Sequence, residues 1–290
     1  MNALPSLIAT CWTSAGNVAP LDESEVSPFD PIERIEAIGA AGWKGFGLGQ
    51  DDLRHIEQTI GFERIYQRAQ ELGLNHIEVE LGSGWWLPKT EPWHETWQLL
   101  LRAARGLKAD FIKVGTTFGD MVDDVTPFVA PMRAIAEEAA AAGTRIALEP
   151  LPFALIATVP QGAELVAAVD HPAAGLCVDF WHIFRANTTL QELAAKVPIE
   201  KIFSVELSDA YNEIHGTLFE DTRDNRTLLG EGDQDVVGFI NTLVAMGFQG
   251  LWGVEILSKA QRSKPLNEAL QSAFNTSVKC FELAEANRAK

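Results

Sequence analysis

The sequence repeats one unit, a short apolar run followed by a segment with helical signals. Each apolar run is continuous rather than alternating, which is typical of parallel strands covered on both faces. The runs lie at residues 6–12, 45–49, 76–81, 111–116, 145–151, 175–182, 202–207 and 251–257. A chain built in this way has few folds open to it, because each strand needs a helix to carry the chain back to the next parallel strand.

Helical segments are predicted between and after these runs. Asp30 followed by Pro31 is an N-cap with proline in the first turn, and Gly73 and Gly143 stand where helices are expected to end. The predicted helices cover residues 31–41, 62–72, 93–107, 126–142, 160–169, 190–196, 235–246 and 266–286. The sequence therefore contains eight strand–helix units.

Eight units in 290 residues predict an α/β fold, a single-domain (β/α)8 TIM barrel over residues 1–290. A doubly wound open sheet is the alternative, but no GxGxxG motif follows a strand. The glycines at 45, 47 and 49 fall within one strand, so we interpret them as barrel packing. The segment 209–233 is expected to be a lid or active-site loop.

The balance of charge excludes several kinds of partner. A net charge of −17 argues against nucleic acid and against anionic membrane surfaces, both of which attract basic proteins. Three widely spaced cysteines make a poor disulfide framework, and no signal peptide or membrane span is evident. The sequence predicts a cytoplasmic protein whose partner is a small molecule.

Carboxylates stand at the ends of four successive predicted strands. They are Glu149, Asp179, Glu206 and Glu255, on strands five to eight. The carboxyl ends of barrel strands meet at one mouth, where four like charges would repel one another. A divalent cation relieves that repulsion, and an all-oxygen set favours Mn²⁺ or Mg²⁺. The sequence therefore predicts a metal site at this end of strands five to eight.

A structural alternative is that each carboxylate pairs with a lysine or arginine, since acidic groups in apolar strands are costly without a partner. Arg145, Lys113 and Lys201 are the obvious spare cations. For one carboxylate this alternative is attractive, whereas for all four together it is much less so.

The second half of the chain resembles the xylose isomerase-like sugar phosphate isomerase/epimerase family of TIM barrels. The resemblance covers about residues 144–258 and rests on ALEPLPF, PQGAELVAAVDHP, GLCVDFWH, FSVELSDA, RTLLGEGDQDV and GFQGLWGVEIL. It implies that Glu149, Asp179, Glu206 and Glu255 hold Mn²⁺, Mg²⁺ or Co²⁺. One departure stands out, because Glu206 occupies a position where the family usually has His, or Gln in some branches.

The resemblance also implies roles for individual residues. Glu149 and Glu255 are expected to be the catalytic acid and base, exchanging a proton with the substrate through an enediolate. His182 and Arg226 are expected to contact substrate oxygens, and Asp209 to orient a neighbouring ligand. Three more substrate contacts are predicted from their places near strand ends, namely Glu80, Trp12 and Trp181.

These observations predict a metal-dependent epimerase or isomerase that acts on a ketose or keto-polyol. The alternative is a lyase of the same family, which would dehydrate a keto-polyol or a dehydroshikimate-like acid, or eliminate from a keto-glycoside. An endonuclease is disfavoured because the sequence offers neither extra His ligands nor a basic groove. A non-catalytic sugar-binding barrel is also disfavoured. Barrels of this type often dimerise, so a homodimer is a further expectation.

Overall fold

Eight parallel strands close into a barrel in the order of the sequence, β1 to β8, with β8 paired to β1. This computed structural model describes residues 5–289, so residues 1–4 and 290 of the predicted domain lie outside it. The strands are β1 Leu7–Ala9, β2 Gly45–Gly49, β3 His76–Gly82, β4 Phe111–Val114, β5 Ile146–Leu148, β6 Ala174–Asp179, β7 Ile202–Leu207 and β8 Trp252–Val254. The predicted TIM barrel is confirmed.

Helices surround the barrel and cover the outer faces of its strands. Those predicted from the sequence are Pro31–Ala40, Phe62–Glu71, Trp93–Leu107, Thr126–Ala141, Val159–Val169, Leu190–Lys196, Val236–Met246 and Leu266–Arg288. Five further helices are Cys11–Ser14, Gln50–Gln58, Phe180–Arg185, Leu218–Asp224 and Lys259–Arg262, with a 3₁₀ turn at Ile199–Lys201. Among the helices within residues 5–289, none is long and apolar enough to cross a membrane.

Several predicted boundaries were wrong in the same direction. The predicted strand 6–12 ends at Ala9 and is followed by a helical turn, and the predicted strand 175–182 ends at Asp179. Asp179 accepts a hydrogen bond from the His182 amide and so caps the helix Phe180–Arg185. The segment 209–233 contains the helix Leu218–Asp224, which begins with a capping box at Thr217.

Strand β3 carries polar side chains on its inner face. Ile77 and Val79 pack in the apolar core outside the barrel, while His76, Glu78 and Glu80 alternate on the opposite face and are buried. The expectation of a continuous apolar strand was wrong here. Room for these side chains comes partly from β2, because Gly47 has no side chain. A Cβ on Gly47 would lie 3.2 Å from a side-chain carbon of Glu78 and 2.7 Å from the backbone nitrogen of Cys11.

His76 lies at the amino-terminal end of the barrel, far from the strand ends where catalysis is expected. Its ring nitrogens lie 3.3 Å from Glu78 and 3.1 Å from Asp110. Burial alone would lower the pKa of His76, but these two carboxylates outweigh it and raise the pKa to about 9. The imidazolium therefore ties β3 to the residue that precedes β4.

The His76 cluster should make stability depend on pH. Because the pKa in the folded state exceeds the unfolded value, the contribution is fully present below pH 6.5 and is lost as pH rises through about 9. His76→Gln should destabilise the protein by about 2–3 kcal/mol at about pH 6 and by much less at about pH 10. Urea unfolding at both pH values measures this, with the exposed His55→Gln as control. A difference that does not change with pH would contradict the assignment.

Candidate active site

Strands β5 to β8 bring four carboxylates together at the carboxyl end of the barrel. Asp179 ends β6 and pairs in register with Glu206 of β7, while Glu149 and Glu255 directly follow β5 and β8. One oxygen of each of the four lies within 4.8 Å of the others, and all four side chains are buried. The structure therefore places the four predicted ligands in one cluster.

Lys113 of β4, the strand next to β5, reaches into this cluster. Its Nζ donates a hydrogen bond to Glu206 at 2.6 Å and lies 2.9 Å from a carboxylate oxygen of Glu80. The same nitrogen lies 3.4 Å from Glu255 and 3.9 Å from Glu149. A single ammonium thus contacts four carboxylates that come from four different strands.

Arg226 supplies the second buried cation. Its guanidinium lies 2.7 Å from Asp179 and 3.1 Å from Glu255, and two of its nitrogens donate to the hydroxyl of Thr222. Trp181 packs against its outer face, with the ring centroid 5.3 Å from the guanidinium carbon. These contacts with two carboxylates, a hydroxyl and an aromatic ring fix the orientation of the guanidinium.

His182 stands beside Glu149 at the edge of the cluster. Its Nε2 lies 3.4 Å from a Glu149 oxygen, and Asp179 fixes the backbone from which the ring projects. Among the described residues, its Nδ1 has no hydrogen-bond partner although it is buried. A buried ring nitrogen without a partner is costly, which is expected where a ligand completes the site.

The pKa values of Glu149 and Glu255 are shifted in opposite directions. Burial would raise the pKa of Glu149, but Lys113, His182 and Arg226 outweigh it and lower the pKa to about 2. Burial raises the pKa of Glu255, and the opposing effect of Lys113 and Arg226 does not cancel the rise. Two carboxyl groups on one cavity with diverging pKa values form a natural acid–base pair.

The rest of the cluster shows an excess of negative charge. Burial raises the pKa of Glu80 to about 7 although Lys113 opposes the shift, and burial and Glu255 raise the pKa of Glu206. Burial would lower the pKa of Lys113, but the surrounding glutamates raise it, so the ammonium stays protonated. Two cations do not balance this many carboxylates, and a further cation would relieve the repulsion.

The cluster fits a divalent metal ion. The donors are mostly carboxylate oxygens, which hard divalent ions prefer, with His182 able to join Glu149 and Asp179 in an alternative set. Within residues 5–289, one buried oxygen of Glu206 also lacks a hydrogen-bond partner. The arrangement could therefore hold a divalent metal ion.

A cavity of about 560 Å³ opens above the cluster. Its floor is polar, and its walls are largely apolar and aromatic. The floor comprises Glu80, Lys113, Glu149, His182, Arg226 and Glu255, and the walls include Trp12, Leu81, Phe118, Leu151, Phe153 and Phe219. A polar floor beneath apolar walls is typical of a small-molecule site, where a few polar groups set orientation.

The predicted site residues do not all reach this cavity. Trp12, Glu80, His182 and Arg226 line it, but Trp181 is fully buried and does not. Trp181 instead packs against the guanidinium of Arg226, which does line the cavity.

Asp209 has a different place from the one predicted. Its carboxylate accepts hydrogen bonds from the backbone amides of Ala210, Gly230, Gly232 and Gln234. It therefore shapes the loop that follows β7. Within residues 5–289, the hydrogen bonds of this carboxylate go to backbone amides of that loop and not to the clustered carboxylates.

Sequence reasoning missed the central place of Lys113. The sequence offered it only as a spare cation, although a lysine within the apolar run FIKV is the same signal that identified the carboxylates. The aromatic wall was also missed, because Phe153 lies in a loop and Phe219 in the helix Leu218–Asp224, far apart in the sequence. Only the fold brings these two segments together.

Comparison with known proteins agrees with this geometry. The sequence profile of the xylose isomerase-like TIM barrel matches residues 32–275. The chain belongs to the xylose isomerase-like TIM barrel family. The expected resemblance is therefore confirmed, and the match extends well beyond the second half of the chain.

Enzymes of this family differ in the reaction they catalyse. The chain is 26% identical to a 3-dehydroshikimate dehydratase of Pseudomonas putida over 244 residues, which are 81% of this chain but 37% of that protein. It is 25% identical to an inosose isomerase of Bacillus licheniformis over 235 residues, 80% of this chain and 72% of that protein. The chain thus spans little more than a third of the dehydratase's length.

A solved structure shows the same fold. The IOLI protein, whose structure contains a bound zinc atom, superposes with a TM-score of 0.77 at 18% identity. The superposition covers 96% of this chain and 99% of that one.

Arg226 should contribute to stability much more than a surface arginine does. Arg226→Met leaves Asp179 and Glu255 buried without their partner, so we expect a loss of about 3–5 kcal/mol. The control is Arg102→Met, which removes a half-exposed ion pair with Glu57 and should cost about 0–1 kcal/mol. Urea unfolding in the presence of a chelator measures both. Equal losses would show that the Arg226 network does not hold the cluster together.

Proposed function

We propose that this chain is a divalent-metal-dependent enzyme that moves a proton at the carbon next to a carbonyl in a small polyhydroxylated ketone, as an epimerase or isomerase. The observation that carries the proposal is the pair Glu149 and Glu255. Both line the cavity floor, and their pKa values are shifted in opposite directions. Proton removal and return require such a pair.

The metal would be held by the carboxylates of strands β5 to β8, with Mn²⁺ as the preferred ion because the donors are oxygens. A divalent ion bound there supplies Lewis acidity, which polarises a substrate carbonyl and acidifies the neighbouring C–H bond. The zinc atom in the related IOLI structure supports a metal in this family of barrels.

The protein's own residues would transfer the proton. Glu149 stays ionised at neutral pH and acts as the base that removes the proton, and Glu255 returns one from the other side of the resulting enediolate. Return to the same carbon gives an epimer, whereas return to the neighbouring carbon gives an isomer. His182 and Arg226 face the cavity beside them and are proposed to orient substrate oxygens.

The charges of the cavity favour a neutral substrate. Its two strongly basic lining residues within the described chain, Lys113 and Arg226, already contact carboxylates. No lining lysine or arginine in residues 5–289 is left to bind a substrate carboxylate. The aromatic wall of Phe118, Phe153 and Phe219, whose ring centroids lie 5.1–6.0 Å apart, suits the apolar face of a ring. A cyclic keto-polyol is therefore the favoured substrate class.

A lyase is the second candidate, and the match to a 3-dehydroshikimate dehydratase favours it. The same base would remove the proton next to the carbonyl. A β-hydroxyl would then leave as water after protonation, so the products would be an unsaturated ketone and water. The two reactions share their first step and differ in where the second proton goes.

The first test follows that shared step. In D₂O, the enzyme should exchange the substrate's C–H hydrogen for deuterium, and Glu149→Gln or Glu255→Gln should slow the exchange by about 10²–10⁴-fold. NMR measures the exchange, and chelation of metal should abolish it in the wild type. The exposed Glu213→Gln is the control and should leave the rate unchanged. Full exchange in the Glu149→Gln variant would exclude this residue as the base.

The second test compares substrates. Neutral ketoses and cyclic keto-polyols should be turned over with kcat/KM at least about tenfold above that for 3-dehydroshikimate, because the acid would meet an already negative cavity floor. NMR detects epimers and isomers, and ultraviolet absorbance detects the aromatic product of dehydration. Faster dehydration of the acid would instead favour the lyase.

A further inference from the structure

Glu206 does not line the substrate cavity, unlike Glu149 and Glu255. Lys113 lines the cavity floor together with Glu149 and Glu255, whereas Glu206 is completely buried and does not line it. The Lys113 ammonium lies 2.6 Å from Glu206, closer than to Glu80 at 2.9 Å and closer than to Glu255 or Glu149. The lysine is therefore the first partner of the strand β7 carboxylate.

This contact changes the net charge around a bound divalent ion. Four carboxylates directly around one divalent ion leave two excess negative charges, which is unfavourable at a site sealed from water. A salt bridge between Lys113 and Glu206 carries no net charge. Three carboxylates then remain for the ion, and the excess falls to one.

We infer that Lys113 and Glu206 form a neutral pair that takes the place of a fourth metal ligand, so that Glu149, Asp179 and Glu255 hold the ion. This inference rests on the metal centre of the proposed function and removes Glu206 from the four carboxylates that could hold the ion. Lys113 is then a positioning residue: it keeps Glu206 away from the ion and lowers the negative charge of the site.

Removing one member of the pair at a time should shift metal affinity in opposite directions. Lys113→Met frees Glu206 to bind the ion, so the affinity for Mn²⁺ should rise about tenfold or more. Glu206→Gln leaves the ammonium unpaired near the ion, so the affinity should fall about tenfold or more. The double variant again has no net charge at the pair, and its affinity should return close to that of the wild type.

Isothermal titration calorimetry with Mn²⁺ measures these affinities without relying on activity, and electron paramagnetic resonance reports the ligand environment. A matched control is the surface pair Lys196 and Glu192, whose Nζ and Oε1 are also 2.6 Å apart. Lys196→Met, Glu192→Gln and their combination change the same charges far from the cluster, and should leave Mn²⁺ affinity unchanged.

Circular dichroism establishes that each variant is folded. If Lys113→Met does not fold, the wild type, Glu206→Gln and the double variant still decide the matter, since a neutral pair requires the double variant to bind Mn²⁺ about as tightly as the wild type. Double-variant affinity that remains at the Glu206→Gln level would overturn the inference. So would Lys113→Met affinity equal to that of the wild type.

The proposed function fails in a different way. If neither the wild type nor any variant binds Mn²⁺, Zn²⁺ or Co²⁺, the metal centre itself is refuted and the inference falls with it. If the wild type binds metal and the variants do not follow the expected cycle, the metal centre stands and only the role of Lys113 is refuted.

Discussion

The contact between Lys113 and the carboxylates around it is the interaction on which the active end of the barrel depends. Closing eight strands forces the side chains at their ends into one small volume, and four of these strands end in acids. Without cations the cluster would hold protons instead of charge, because burial and mutual repulsion both raise carboxyl pKa values. Lys113 and Arg226 lower the free-energy cost of burying these charges, because both contact the carboxylates.

The carboxylates of this site lie in different surroundings. Asp179 and Arg226 form a rigid pair supported by Thr222 and Trp181, and such support keeps nearby groups in a fixed geometry. Glu149, by contrast, lies on the cavity floor, where burial would raise its pKa but the nearby cations lower it and keep the carboxylate ionised. Similar carboxylates thus differ in role because their neighbours differ.

Polar side chains also occupy the opposite end of the barrel interior, where His76, Glu78 and Asp110 form a separate cluster. Next to it lies a small apolar cluster of Phe111, Ala147 and Cys177, with Phe203 packed against it. The barrel interior therefore has polar groups at both ends. This is consistent with a structural role at one end and chemistry at the other, as the (β/α)8 architecture allows.

The sequence alone determined the architecture and the identity of the four acidic strand ends. Both depend on local signals, namely apolar runs, helix caps and costly acids within strands such as Glu206. The strand ends were placed too late, because cap contacts such as that of Asp179 convert the last predicted strand residues into helix. Only the tertiary structure decided that Lys113 meets Glu206 and that Trp181 lies behind Arg226, because such contacts join residues far apart in sequence and depend on strand register and side-chain direction.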